Sequence, residues 1–182
     1  MPTPTHDQPF RGYIQVYTGN GKGKTTAALG QALRAAGRQW RTYIGQFLKG
    51  SPSGELVAVK SLEPYITIEQ FGRQGFLVID ETPGEEDVER ARRGLEKCRE
   101  AMRSGQYRLV ILDEVCVALY FKLLADKDIL DLLDEKPHDV EVILTGRYAP
   151  PSVIERADLV TEMRDIKHYS EKGVRARDGI EK

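Results

Sequence analysis

A glycine- and lysine-rich segment near the amino terminus, residues 18–26, limits what this chain can fold into. Its sequence, TGNGKGKTT, follows the apolar run of residues 12–17 and precedes an alanine- and leucine-rich run, residues 27–36, that predicts a helix. Glycines let successive backbone N–H groups converge on one point, because no Cβ stands in the way. The following helix adds unpaired N–H groups and its positive dipole end. A strand, this loop and a helix in that order predict a phosphate-binding P-loop.

The loop carries the residue types that a nucleotide site needs. Lys24 supplies a full positive charge to phosphate oxygens, and the Thr25 hydroxyl stands where a Mg²⁺ ligand belongs. The sequence departs from G-x-x-x-x-G-K-[ST] at one position, because Thr18 stands where the first glycine is expected. Whether Lys22 binds the ligand or is a solvated charge stays open. The predicted nucleotide contacts are Gly19, Asn20, Gly21, Lys22, Gly23, Lys24, Thr25 and Thr26.

Composition predicts an ordinary globular protein. The 182 residues suit a single domain, 1–182, with residues 1–11 as a mobile N-terminal arm and residues 167–182 as a polar C-terminal tail. A net charge of −1 argues against a general nucleic-acid or membrane-surface binder. Two cysteines are too few for a disulfide framework, and we expect them to be reduced in a cytoplasmic protein. No apolar run approaches the roughly 20 residues that a membrane span needs.

Strand and helix patterns alternate along the rest of the chain. Strands are predicted at residues 12–17, 42–47, 66–71, 108–112, 140–144 and 159–166, and helices at 27–36, 56–62, 84–104, 115–124, 128–133 and 150–157. Such alternation implies a mostly parallel central sheet with helices on both faces. The predicted fold class is therefore α/β, a three-layer P-loop (RecA-like) fold. Ligands of open α/β sheets bind at the carboxyl ends of the strands.

Two adjacent carboxylates, Asp113 and Glu114, follow the apolar run of residues 109–112. That run is typical of a central strand buried on both faces. A carboxylate in this position beside a P-loop binds Mg²⁺ or Mn²⁺, directly or through water, and the metal bridges phosphate oxygens. The structural alternative is that Asp113 caps the next helix. The pattern does not decide which of the two carboxylates contacts the metal.

Three further charged residues follow predicted strands. Lys49 and Glu55 lie in the small-residue loop after the second strand, and Arg147 lies after the strand of residues 140–144. Position makes them site candidates, although Lys49 and Glu55 are equally typical of solvated loop charges. Arg147 is either a clamp for phosphate or ribose or a surface ion pair. An apolar cluster within residues 72–83 is either a plug in the core or a hydrophobic ligand surface.

These residues predict a Mg-nucleoside triphosphate site but do not name the reaction. The Asn-Lys-x-Asp guanine-reading pattern is absent, which disfavours a GTPase. Five blocks in one order resemble the corrinoid adenosyltransferases of the CobA/BtuR/CobO type (cob(I)yrinic acid a,c-diamide adenosyltransferases), over about residues 12–181. The blocks are GNGKGKTTAA at 19–28, QFLKG at 46–50, LDE at 112–114, TGR at 145–147, and KH with GVRARDGI at 167–180. The P-loop of that family lacks the same first glycine.

The resemblance implies a reaction in cobalamin biosynthesis. Co(I) of a corrinoid attacks the 5′ carbon of ATP, tripolyphosphate leaves, and adenosylcobalamin or one of its precursors forms. Lys24 would stabilise the leaving triphosphate. Phe76 matches a family aromatic that shields the lower corrin face and eases reduction of cobalt, whereas Val78 replaces the family tryptophan.

The resemblance also implies partners. These are ATP, a corrinoid (cobalamin, cobinamide or cobyrinic acid diamide), an electron donor such as a flavoprotein, and a second copy in a homodimer whose N-terminal arm covers the corrin. Two other hypotheses remain from the residues alone. One is a P-loop small-molecule kinase or NTPase, and the other is a non-catalytic nucleotide- or corrinoid-binding module.

Overall fold

One parallel sheet organises the protein. The computed structural model describes residues 10–73 and 83–181. The strands are β1 (Ile14–Thr18), β2 (Thr42–Gln46), β3 (Ile66–Gln70), β4 (Leu109–Asp113), β5 (Glu141–Thr145) and β6 (Leu159–Glu162). Their order is β3-β2-β4-β5-β1-β6, and every neighbouring pair is parallel. This arrangement confirms the predicted α/β class, and the described sheet is wholly parallel.

Helices cover both faces of the sheet. They are α1 (Lys24–Ala36), α2 (Gly54–Ala58), α3 (Glu85–Arg103), α4 (Val115–Tyr120), α5 (Asp126–Asp134) and α6 (Pro151–Arg156), with 3₁₀ turns at Val59–Leu62 and Tyr169–Lys172. Alanines of α1 pack on Ile44, Ile111 and Ile143. The alternate strand residues, such as Val110 and Leu112, face a larger core that includes α3, α4 and α5. Alternation of side chains along each strand thus produces the three predicted layers.

Several element boundaries differ from the sequence prediction for local reasons. Helix α1 begins at Lys24 rather than at residue 27, because Gly23, with φ of 119°, ends the loop immediately before it. Helix α4 stops at Tyr120 instead of continuing to residue 124, and Lys122 takes a positive φ of 60° there. Strand β6 ends at Glu162 rather than at residue 166, since the chain then turns toward the P-loop.

The two cysteines and Phe10, the first described residue, pack against other side chains of the fold. Cys98 and Cys116 are unpaired and buried, so both belong to the core. The Phe10 ring packs edge-on against Trp40 at a centroid distance of 4.8 Å. Residues 1–9 of the predicted arm lie outside the described residues. Within the described chain, no helix combines the length and apolar character required to cross a bilayer.

Candidate functional site

Close packing explains the glycines of the P-loop. Gly19 and Gly23 have φ of 92° and 119°, a conformation that other residues rarely adopt. A Cβ on Gly21 would lie 2.8 Å from the backbone carbonyl of Arg164. The Gly21 N–H donates to the Met163 carbonyl at 2.7 Å. The residues after β6 therefore support the loop from outside, and glycine is required where the two backbones meet.

Lys24 lies inside the P-loop rather than in solvent. Its side chain is buried (7% exposed), and Nζ donates to the carbonyl oxygens of Gly19 and Gly21, both at 2.7 Å. Burial lowers the pKa of Lys24, a shift that the charge of Glu114 opposes. Neutral carbonyls hold this ammonium, so an anionic phosphate is a stronger competing partner for it.

Thr25 and Asp113 are joined across the sheet edge, as a P-loop and an acidic strand end require. The Thr25 hydroxyl donates to Asp113 Oδ1 at 2.8 Å, and the Thr145 hydroxyl donates to the same oxygen at 2.7 Å. Asp113 is 1% exposed. Because the Thr25 proton points at the carboxylate, the lone pairs of its Oγ1 are left for a cation. Asp113 does not cap α4, since that position belongs to Glu114.

Lys49 and Glu55, which follow β2, lie beside Asp113. Lys49 Nζ is 2.9 Å from Asp113 Oδ2 and 3.6 Å from Glu55 Oε1. Burial alone would lower the pKa of Lys49, but its charge and hydrogen-bond interactions with Asp113 outweigh burial and raise that pKa. Lys49 is therefore a stably charged ammonium that bridges two carboxylates.

Glu114 differs from Asp113 in having an unengaged carboxylate. It has a positive φ of 63°, and its backbone N–H donates to Thr145 Oγ1 at 2.9 Å. Its carboxylate makes no hydrogen bond or ion pair with any residue in the described ranges. Burial and the charge of Asp113 raise the pKa of Glu114, partly offset by Lys49, Lys24 and Arg147.

These groups fit a magnesium ion that binds together with phosphates. Clusters of three or more His, Cys, Asp or Glu side chains suited to a metal are absent from the described part of the chain. Mg²⁺ usually takes one or two protein oxygens and fills its other positions with phosphate and water. The Glu114 carboxylate, which has no partner among the described residues, and the outward lone pairs of Thr25 provide that small set.

The remaining predicted residues divide into three groups. Lys22 points to the C-terminal tail, where Nζ donates to the Ile180 carbonyl at 3.0 Å and lies 3.8 Å from Glu181. Asn20, Thr26 and Arg147 are exposed, and their side chains make no hydrogen bond within residues 10–73 and 83–181. Arg147 influences the pKa values of Lys24 and Glu114 through its charge. Phe76 and Val78 lie outside the described residues.

Sequence reasoning missed three polar residues that complete the site, Gln46, Gln70 and Thr145. Each is the last residue of its strand, and Gln46 and Thr145 are fully buried. Gln46 Nε2 donates to Asp113 Oδ2 at 3.2 Å and to Glu55 Oε1 at 3.1 Å. The available signal was a polar residue one position from the end of a predicted strand, at the edge where ligands bind.

Similarity to known proteins covers almost the whole chain. The family described as "ATP:corrinoid adenosyltransferase BtuR/CobO/CobP" matches residues 10–181. A corrinoid adenosyltransferase of Escherichia coli K12 is 37% identical over 175 residues, which cover 96% of this chain and 87% of that protein. Corrinoid adenosyltransferase CobA of Salmonella typhimurium is 35% identical over 176 residues, with the same coverages of 96% and 87%.

A third relative extends the comparison to another genus. The corrinoid adenosyltransferase of Pseudomonas aeruginosa is 33% identical over 172 residues, which cover 94% of this chain and 84% of that protein. These matches do not favour the alternative of a small-molecule kinase or NTPase, and they agree with the five sequence blocks. The chain belongs to the ATP:corrinoid adenosyltransferase family.

Proposed function

We propose that this protein transfers the 5′-deoxyadenosyl group of ATP to Co(I) of a corrinoid and releases tripolyphosphate. The observation that carries the proposal is the family match over residues 10–181, on a chain whose P-loop holds a buried lysine beside the Thr25–Asp113 pair. The reaction forms a cobalt–carbon bond and breaks the C5′–O bond of ATP. Both electrons of the new bond come from Co(I), and those of the broken bond leave with tripolyphosphate.

The charges of the site suit this leaving group. Breaking the C5′–O bond places new negative charge on the triphosphate. Lys24 and the N-terminus of α1 are held in position before the reaction, and donors arranged in advance around developing charge are a common source of rate enhancement. Cobalt is the nucleophile, so the chain needs no general base and no nucleophilic side chain of its own.

Glu114 and Thr25 are the proposed ligands of Mg²⁺ or Mn²⁺. Asp113 orients Thr25 by accepting a hydrogen bond from its hydroxyl. Two observations support this division of roles. Both oxygens of Asp113 already accept hydrogen bonds, from Thr25 and Thr145 at Oδ1 and from Gln46 and Lys49 at Oδ2, whereas the carboxylate of Glu114 is unengaged in the described chain. When bound, the metal neutralises charge on the phosphates. The proposed nucleotide contacts remain the P-loop residues, Lys49, Glu55 and Arg147.

The corrinoid side of the proposal rests on the family resemblance. Phe76 shields the lower corrin face, the N-terminal arm covers the corrin in a homodimer, and an electron donor such as a cytoplasmic flavoprotein reduces cobalt. Phe76→Ala should reduce turnover more when the assay starts from Co(II) with a weak reductant than when it starts from Co(I). Equal losses in the two assays would remove Phe76 from the reaction.

The direct test is an anaerobic assay with a strong reductant, MgATP and cob(II)alamin, which the reductant converts to Co(I). The expected product has the light-sensitive spectrum of adenosylcobalamin. Replacing cobalamin by cobinamide or cobyrinic acid diamide ranks the three proposed substrates by kcat/KM. Release of ADP and inorganic phosphate without a cobalt–carbon product would reject the proposal in favour of a kinase or NTPase.

A further inference from the structure

Polar side chains form a row across four neighbouring strands at the carboxyl edge of the sheet. The row consists of Gln70 on β3, Gln46 on β2, Asp113 on β4 and Thr145 on β5. Gln46 stands opposite both Gln70 and Asp113 in the strand register. Hydrogen bonds connect the row from end to end, with Gln70 Nε2 to Gln46 Oε1 at 3.0 Å, Gln46 Nε2 to Asp113 Oδ2 at 3.2 Å and Thr145 Oγ1 to Asp113 Oδ1 at 2.7 Å.

The partners of Gln46 fix the orientation of its amide. Its NH₂ group faces two carboxylates, those of Asp113 and Glu55, and its carbonyl oxygen accepts from Gln70. An ionised carboxylate only accepts hydrogen bonds, so a reversed amide would oppose acceptor to acceptor twice. Hydrogen bonding to Gln46 contributes to lowering the pKa of Glu55, against the effect of burial. Both amide ends of Gln46 are therefore committed.

Gln46 is the more buried and more firmly held of the two donors to Asp113 Oδ2. Lys49 also donates to Oδ2, but its side chain is 29% exposed and it divides its charge between Asp113 and Glu55. Gln46 is 0% exposed and is held at its far end by Gln70. With Oδ2 fixed in this way, Oδ1 faces Thr25, and the lone pairs of the Thr25 hydroxyl are directed away from the carboxylate.

We infer that Gln46 is a positioning residue, whose amide orients Asp113 and thereby the Thr25 hydroxyl for binding of the metal–triphosphate. This inference rests on the proposed MgATP site. It assigns a role in binding to a residue that belongs to neither the P-loop nor the acidic pair. Replacing residues that orient a metal-binding side chain typically changes metal affinity or activity by about 10–100-fold.

The test uses binding of ATP without corrinoid, measured by calorimetry once with Mg²⁺ and once with EDTA. Gln46→Leu and Gln46→Glu should weaken binding of MgATP by about 10-fold or more, and should change binding of metal-free ATP by less than about twofold. A purely structural defect would weaken both. Gln106→Glu is the matched control, because it adds the same charge at an exposed position before β4, and it should leave both affinities unchanged.

Two further variants test the inference if single substitutions of the buried Gln46 prevent folding. Gln70→Leu removes the hydrogen bond that holds the Gln46 carbonyl, from an edge strand, and should weaken MgATP binding by several-fold. The exchange Gln46→Glu with Glu55→Gln restores net charge and the hydrogen bond between positions 46 and 55, but leaves Asp113 facing an acceptor. It should therefore fail to restore MgATP binding.

The outcomes separate this inference from the proposed function. MgATP binding of the folded Gln46 or Gln70 variants within twofold of wild type overturns the positioning role, as does full rescue by the exchange. If the wild-type protein binds MgATP but forms no cobalt–carbon bond, the proposed function fails while the role of Gln46 is still judged by binding. Parallel thermal unfolding identifies any variant that has lost its fold.

Discussion

The P-loop and the polar row are two halves of the same site, built in opposite ways. Residues 19–25 of the P-loop are contiguous, and their shape follows mainly from glycine conformations and from Lys24 bonded to carbonyls of its own loop, with outside support from the Met163 carbonyl. The row draws Gln46, Asp113 and Thr145 from different strands, and Gln46 and Asp113 are 67 positions apart in the sequence. The P-loop residues that would bind triphosphate are neighbours in the sequence, whereas the residues of the polar row come together only when the sheet forms. The two should therefore respond differently to substitution.

Replacement of Lys24 by alanine should have the largest effect on the reaction. Removing one preorganised charge donor from a developing anion costs about 2–4 kcal/mol in transition-state stabilisation. We expect kcat for adenosylcobalamin formation to fall accordingly. The midpoint of thermal unfolding should change little, because among the described residues the ammonium bonds only to carbonyls of its own loop. Unchanged turnover of a folded Lys24→Ala protein would contradict the role of the P-loop lysine.

Thr145→Val should chiefly lower the free energy of unfolding. Valine removes both the donor to Asp113 and the acceptor for the Glu114 N–H, at a fully buried position. Leaving such groups unsatisfied costs about 1–3 kcal/mol of the free energy of unfolding, measurable by denaturant titration.

Thr42→Val is the matched control for that substitution. Thr42 is equally buried on β2, but at the amino end, and its hydroxyl has no hydrogen-bond partner among the described residues. Because valine there removes an unsatisfied group, we expect a neutral or stabilising change. Equal destabilisation by both valines would mean that the row contributes nothing specific.

The acidic limb of the pH profile should report on Glu114. The pKa of Glu114 is raised. As the pH falls, its carboxylate is therefore protonated at a higher pH than an ordinary glutamate, and it loses the negative charge that would bind the metal. We expect kcat/KM for MgATP to decline by up to about tenfold per pH unit below that pKa, which is about 1.4 kcal/mol per unit. Glu114→Gln should lower activity and abolish this limb. If the Glu114→Gln variant kept the same acidic limb, that limb would belong to another titrating side chain.

Lys22→Ala should have the smallest effect. Its side chain is 39% exposed and is held by the tail through Ile180 and Glu181. Exposed ion pairs contribute little, so we expect KM for ATP to change by less than about fivefold. A much larger rise would mean that Lys22 leaves the tail to bind the triphosphate, and would make it a ligand comparable with Lys24.

The same contrast explains how far sequence reasoning could reach. The P-loop, the strand and helix order, and the carboxyl-edge position of Lys49, Glu55 and Asp113 follow from local patterns and from the rule for parallel sheets. Gln46 and Thr145 lie at the same edge, but their roles could not be assigned, because the hydrogen-bond partners that define those roles are set by strand register. The contact of Lys22 with the tail was equally inaccessible, since it joins residues 158 positions apart.

The fate of the 5′ bridging oxygen of ATP tests the central claim most directly. Wild-type protein would be supplied anaerobically with cob(I)alamin, Mg²⁺ and ATP labelled with ¹⁸O between C5′ and the α-phosphorus, and the products would be analysed by mass spectrometry. We predict one intact tripolyphosphate carrying the label for each adenosylcobalamin formed. Label retained on the nucleoside, or phosphate released singly with ADP, would contradict the claim that this P-loop holds a leaving group.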